Sequence, residues 1–261
     1  MNQATQEFHP SQLCSKGYRQ HIARLFDPII EKTLRIDKLK NLYHLQQRKD
    51  IKSTEFVRSF IKDAGIHSTL SGLEVLDRLP HDKPVIFVAN HPLGLADGLL
   101  MIDLLARHSD NFKIMANERL SAFEEIKDLF LPVNNFKDKS SSNIVPLMKA
   151  TKHLKRGGSL AVFPAGSVSH LNLKNRSIED DEWSPTIAKL ARISNATVVP
   201  VYFSGHNSLS FQIMGLIHPL LRTALLPREA FKSCKKHINI EVGKAISPRE
   251  IKQFPNDKRL A

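Results

Sequence analysis

Two hydrophobic periods alternate along this chain. Short unbroken apolar runs, rich in β-branched and aromatic residues, occur at Val85–Val88 (VIFV), Ser159–Phe163 (SLAVF) and Thr197–Phe203 (TVVPVYF). Such runs predict strands, the first two of them buried. Phe112–Ala116 and Ile238–Val242 predict further strands, and Leu131-Pro132-Val133 a brief extended piece. Leu70 to Leu79 is expected to be a strand leading into a Pro80–Pro84 turn. Between these runs the apolar residues recur every three or four positions. Leu99, Leu100, Ile102, Leu104 and Leu105 predict one helix; Ile144 to Lys155 predicts another, stopped by Gly157-Gly158. Ser53 to Ala64 predicts a helix with Ser53 as cap and Gly65 closing it. Ser121 and Glu124 form a capping-box pattern ahead of Phe123, Ile126, Leu129 and Phe130. Lys137 to Asn143 is a polar loop. Ser184-Pro185 opens a helix through Ile193, and Ser247, Pro248 and Glu250 spell a last helix start. Strands alternating with helices of about 10 residues predict an α/β sheet with parallel members. No repeat or low-complexity linker divides the chain, so one domain is the simpler count.

The N-terminal region has a different character. Residues 1 to 20 read as irregular. From Ile22 to Leu45 apolar residues follow helical spacing (Ile22, Leu25, Phe26, Ile29, Ile30, Leu34), with Asp27 as an N-cap and Pro28 in the first turn. Arg24, Lys32, Arg35, Lys38, Lys40, Arg48, Lys49 and Lys52 are interleaved with them. Such a basic amphipathic region either lies on a membrane surface or packs on the domain with solvated lysines.

Composition sharpens the choice of partner. Hydrophobic residues at 41% and charged residues at 25% allow a substantial core. Lys+Arg 38 against Asp+Glu 26 leaves a net charge of +12, which favours an anionic partner. The basic residues are scattered and match no zinc-finger or RNA-recognition pattern, which places nucleic acid last among such partners. Cys14 and Cys234 form neither a metal nor a disulfide framework, as suits a reducing cytoplasm. No apolar run of about 20 residues predicts a transmembrane helix, and the N-terminus lacks signal-peptide character.

Candidate chemistry collects at two strand ends. Pro84 to Gly98 (PVIFVANHPLGLADG) reads as strand, tight turn and helix start, with His91 just after the strand and Asp97 six residues later. A carboxylate that fixes an imidazole tautomer makes a general base. Pro92 and Gly94 would turn the chain back toward His91, and Gly94 leaves room for close approach of a substrate. The competing reading is a polar turn that satisfies backbone groups at a helix start. Phe163 to His170 (FPAGSVSH) is the second turn, where Gly166 and Ser167 can offer N–H groups to an oxyanion or phosphate. The nucleophile-elbow pattern G-x-S-x-G is missing, so a serine acyl-enzyme has no support. The dispersed histidines form no metal cluster.

At these residues the sequence resembles the lysophospholipid acyltransferase superfamily, and within it the hemolysin-like branch linked to ornithine-lipid synthesis. The motifs are NHPLGLADG (Asn90 to Gly98), FPAGSVS (Phe163 to Ser169) and Val198-Val199-Pro200-Val201, joined by EWSPTIAKLAR, FSGHNS and HPLLRTALLPRE, across residues 65 to 247. The resemblance implies a mixed, largely parallel α/β sheet flanked by helices. It implies a helical region over 1–64 with possible membrane-surface contact and an acyltransferase domain over 65–261. It implies O-acyl transfer from acyl carrier protein or coenzyme A thioester to a lyso-lipid hydroxyl, without a metal or other cofactor. His91 would be the base and Asp97 its orienting partner. Asn90, Gly94, Pro164, Ala165, Gly166, Ser167 and Arg222 would line the substrate cleft. The implied location is peripheral, on the cytoplasmic face of the inner membrane. Two departures stand out: Ala165 and Val168 occupy the positions of the superfamily's second-turn glutamate and arginine, and no arginine that would contact glycerol phosphate is found near Pro132-Val133-Asn134-Asn135. Lys113, Lys137, Lys139, Arg222 and Arg228 are the cations that could substitute. The departures leave a lyso-aminolipid acceptor as open as a phospholipid one, and a membrane-binding protein with an inactive site as the alternative.

Overall fold

A computed structural model describes residues 32–133, 144–233 and 236–253. Its centre is a seven-stranded sheet in the order β1-β9-β8-β2-β5-β3-β4, where β1 is His67–Ser71, β2 Val85–Ala89, β3 Phe112–Asn117, β4 Phe130–Val133, β5 Ser159–Val162, β8 Thr197–Phe203 and β9 His237–Val242. The five strands from β8 to β4 are mutually parallel; β9 is antiparallel to β8 and parallel to β1. The sheet is therefore mixed and largely parallel. A separate hairpin pairs β6 (His170–Asn172) with β7 (Ser177–Glu179).

β2 sits in the middle, and all five of its residues are buried. Side chains alternate across a strand, so β2 serves both faces. Val85, Phe87 and Ala89 join one apolar cluster with Leu39 and Tyr43 of α1 (Ile36–Gln47), Phe56, Val57 and Phe60 of α2 (Ser53–Ala64), and the apolar stripe of the helix at Leu95–His108. Ile86 and Val88 join the opposite cluster, with Ala150 and Leu154 of the helix Ile144–Lys155 and with Ile187 and Leu190 of Thr186–Ser194. Helices thus cover both sides of the sheet, and α1 and α2 share its core.

In chain order the remaining helices are α3 (Leu73–Asp77), α4 (Leu95–His108), α5 (Ile144–Lys155), α6 (Thr186–Ser194), α7 (Leu209–Ile217), α8 (Pro219–Ser233) and α9 (Pro248–Gln253). Three local expectations change. The strand expected over Leu70–Leu79 ends at Ser71, and Gly72 with φ 76° turns the chain into α3. Ser53 does not cap α2: Lys52 is the N-cap, and the Ser53 N–H donates to the Glu125 carbonyl at 2.7 Å. The capping box at Ser121 and Glu124 opens no α-helix; two short 3₁₀ turns, Glu118–Ala122 and Lys127–Leu129, lead straight into β4. There the apolar side chains Ile126, Leu129 and Phe130 are buried against α-helical neighbours without needing a helix of their own. Ser247 and Glu250 do cap α9 reciprocally, with Ser247 N–H to Glu250 Oε2 at 2.8 Å and Glu250 N–H to Ser247 Oγ at 3.3 Å. The expectations for Cys14, the helix start at Asp27-Pro28, Asn134-Asn135, the loop Lys137–Asn143 and Cys234 lie outside the described residues.

Candidate active site

In open parallel sheets, ligands bind beyond the carboxyl ends of the strands. Here the adjacent strands β8, β2 and β5 end side by side. His91 continues the parity of Phe87 and Ala89, and Phe163 that of Ala161, so both turn to the same face of the sheet. Their rings stack, with centroids 4.2 Å apart and planes 28° from parallel.

The chain then reverses. Gly94, at φ 84°, is the N-cap of α4, and the first turn of that helix carries Asp97 back under the histidine. Asp97 is completely buried. Its Oδ2 accepts the N–H groups of Leu93 at 2.8 Å and Gly94 at 3.0 Å, and lies 3.0 Å from His91 Nδ1. A carboxylate only accepts, so Nδ1 carries the proton and Nε2 presents its lone pair. The His91 side chain keeps 19% of its surface exposed, so a substrate can reach that nitrogen. The arrangement can accept a proton from a hydroxyl.

The other predicted residues divide. The Asn90 amide is bound to the backbone of Phe203: its Nδ2 donates to the carbonyl at 2.9 Å and its Oδ1 accepts the N–H at 2.8 Å. It ties β2 to β8 and does not point a free amide at a ligand. Gly94 is walled by Leu226 and Val168; a Cβ there would stand 3.2 Å and 3.4 Å from their methyl groups. Pro164 accepts the Ser184 N–H at 3.1 Å, and Ala165 is fully buried. The Gly166 N–H closes a turn onto the Phe163 carbonyl at 3.0 Å, which corrects the expectation that it is offered to an oxyanion. Ser167 Oγ donates to Asp181 Oδ2 at 2.5 Å. Arg222 is half-buried on α8, with its stem against Gly215 of α7. Burial lowers its guanidinium from the ordinary range, while the Asp181 carboxylate pulls it back up. Ser167 and Arg222 therefore share Asp181. Lys113 is bound to the Asp128 carbonyl; Lys137 and Lys139 lie outside the described residues.

Asp180 is a site residue that pattern reading missed. Its Oδ1 accepts the His91 backbone N–H at 3.2 Å and the Ser169 hydroxyl, and its Oδ2 accepts Trp183 Nε1 at 3.0 Å. Ser169 N–H in turn donates to the His91 carbonyl at 2.9 Å. One carboxylate thus staples the two strand-end turns together. The available signal was the acidic run Glu179–Glu182 beside the sole tryptophan in an otherwise basic chain. Among the described residues no three His, Cys, Asp or Glu side chains converge as a metal site requires.

Comparison with known proteins agrees with this fold. A family model described as an acyltransferase matches residues 19–256. The lyso-glycine lipid O-acyltransferase of Bacteroides thetaiotaomicron is 28% identical over 209 residues, covering 77% of this chain and 74% of that protein. The lyso-glycine lipid O-acyltransferase of Phocaeicola vulgatus is 27% identical over 222 residues, covering 80% and 77%. Among solved structures, the 1-acyl-sn-glycerophosphate acyltransferase PlsC from Thermotoga maritima aligns with a TM-score of 0.50 at 16% identity, over 98% of this chain and 89% of that one. That last likeness is one of fold.

Proposed function

Because this chain belongs to the acyltransferase family, we propose that it esterifies the hydroxyl of a lyso-lipid with a fatty acyl group drawn from a thioester of acyl carrier protein or coenzyme A. The observation that carries this reading is the His91–Asp97 pair, 3.0 Å apart, with a partly exposed imidazole at the mouth of the sheet. His91 Nε2 takes the hydroxyl proton as the oxygen attacks the thioester carbonyl. The tetrahedral intermediate collapses, the C–S bond breaks, and the imidazolium returns the proton to the leaving thiolate. Asp97 holds the tautomer and stabilises the imidazolium. Phe163 covers one face of the ring and fixes its plane.

The acceptor is a lyso-aminolipid. The two curated relatives are named for a lyso-glycine lipid. The second turn also carries Ala165 and Val168 rather than charged side chains that would hold a phosphate. Arg222 is the cation on hand for the anionic group of a headgroup. The enzyme works as a peripheral protein on an anionic membrane face.

The test is acyl transfer by the purified protein from acyl carrier protein and coenzyme A thioesters to lyso-glycine lipid, lyso-ornithine lipid and lysophosphatidic acid. Turnover is expected with a lyso-aminolipid, and His91→Ala is expected to lower it by about 10²–10⁴-fold. Undiminished transfer by His91→Ala would remove the proposed base. Preference for lysophosphatidic acid would overturn the acceptor assignment.

A further inference from the structure

The helical hairpin α7–α8 borders the site and shows solvent a face that water does not explain. α7 (LSFQIMGLI) has no charged residue, and only Phe211 and Gln212 are buried. Leu209, Ile213, Leu216 and Ile217 fall at i, i+4, i+7 and i+8, one stripe of a helix. All four are exposed, Leu209 and Ile217 by 70% and 67%. The stripe continues through the connection into Leu220 and Leu221 of α8. Beside it, β6 packs on α7, and the β6–β7 turn exposes Leu173 next to Lys174 and Arg176. Contiguous apolar surface of this kind marks a docking face.

Charge identifies the occupant. No Asp or Glu occurs between Glu182 and Glu229, a stretch in which the hairpin itself carries Arg222 and Arg228. The acidic side chain hydrogen-bonded at the hairpin's root, Glu229, is buried. It accepts the Ser208 N–H at 2.7 Å, the Ser208 hydroxyl at 2.8 Å and Lys232 Nζ at 3.0 Å. It anchors the N-terminus of α7 and presents no charge at the tip. An apolar ridge with Arg228 on α8 and with Lys174 and Arg176 on the neighbouring β6–β7 turn fits the headgroup–acyl boundary of an anionic bilayer. The ridge is also joined to the site. Leu226 of α8 packs on Gly94, and Gln212 of α7 accepts the Leu171 N–H at 2.9 Å.

We propose that the α7–α8 hairpin is the element by which this protein docks on anionic lipid bilayers, with Leu209, Ile213, Leu216, Ile217, Leu220 and Leu221 immersed at the acyl boundary. The choice of a lipid surface rests on the lyso-lipid reading above. Among the described residues no helix is long and apolar enough to cross a membrane, so the hairpin lies in one leaflet.

The experiment sediments the full chain with vesicles of phosphatidylglycerol and phosphatidylethanolamine. The double variant Ile213→Glu/Ile217→Glu is expected to lose at least tenfold in vesicle partition. It should keep its circular dichroism and its His91-dependent transfer to a short-chain acceptor below its micellar concentration. A second variant, Leu216→Trp, is expected to bind normally and to shift its added fluorescence to the blue with vesicles. Undiminished sedimentation of the double variant, or no blue shift in Leu216→Trp, overturns the proposal. So does a dimer in solution that the double variant dissociates with no change in vesicle binding, because a second copy would then cover the ridge. Sedimentation does not depend on turnover. A protein that binds as expected yet transfers no acyl group leaves the docking surface standing and sinks only the catalytic reading.

Discussion

Asn90 acts as one more rung of the ladder between β2 and β8. Its amide makes the donor and acceptor contacts that a strand backbone would make to Phe203. The sequence resemblance marks this residue as part of the site, and its contribution is to hold the following histidine at the sheet end. His108 is a contrasting case at the far end of α4. Its ring is buried, neither ring nitrogen has a partner, and it stacks on His81 with centroids 5.2 Å apart. Burial, and then the neighbouring His81, lower its pKa from the usual 6.5. The unfolded chain therefore binds the proton more readily than the folded one. The stability this site contributes is full above about pH 6.5 and is lost as the pH falls from there toward the folded value. Urea unfolding at pH 7.5 and pH 5 is expected to show a steeper acid loss for the native protein than for His108→Phe.

Among the elements, the turn from α5 into β5 has little tolerance for a side chain. Gly157 stands at φ 80°, and a Cβ there would lie 2.6 Å from the Asp82 carbonyl oxygen. Gly157→Ala is expected to cost roughly 1–3 kcal/mol, read as a lowered urea midpoint with an unchanged slope. This stop was legible in the sequence as a Gly-Gly after a periodic apolar run. So were the strands β2, β5 and β8, of which β2 and β5 are buried throughout, because a continuous β-branched run has few other places to go. The region from Leu70 to Phe130 was less legible. α3 has five residues and the 3₁₀ turns five and three, too short for a period to register. Asp97 and His91 could be paired from the motif and the turn residues between them. Asp180 could not, since its role depends on two strands far apart in sequence ending side by side. The commitments of Gly166 and Asn90 were equally hidden, because a backbone partner leaves no mark in the residue pattern.

Across the whole molecule, the net charge of +12 and the ridge on α7–α8 act over different ranges. Long-range attraction to an anionic surface is screened within about 8 Å at physiological salt, whereas apolar contact is not. The hairpin sits beside His91, so the histidine and the lipid-facing ridge belong to one side of the protein.

That adjacency bears on how the two substrates arrive. In the proposed reaction a thioester carrier diffuses in three dimensions through water, while the acceptor is confined to two. The velocity should therefore follow the mole fraction of acceptor within the interface rather than its amount per volume. Adding inert phospholipid at a constant total quantity of acceptor is expected to slow the reaction, and adding more vesicles of unchanged composition to leave it nearly constant once all the protein is adsorbed.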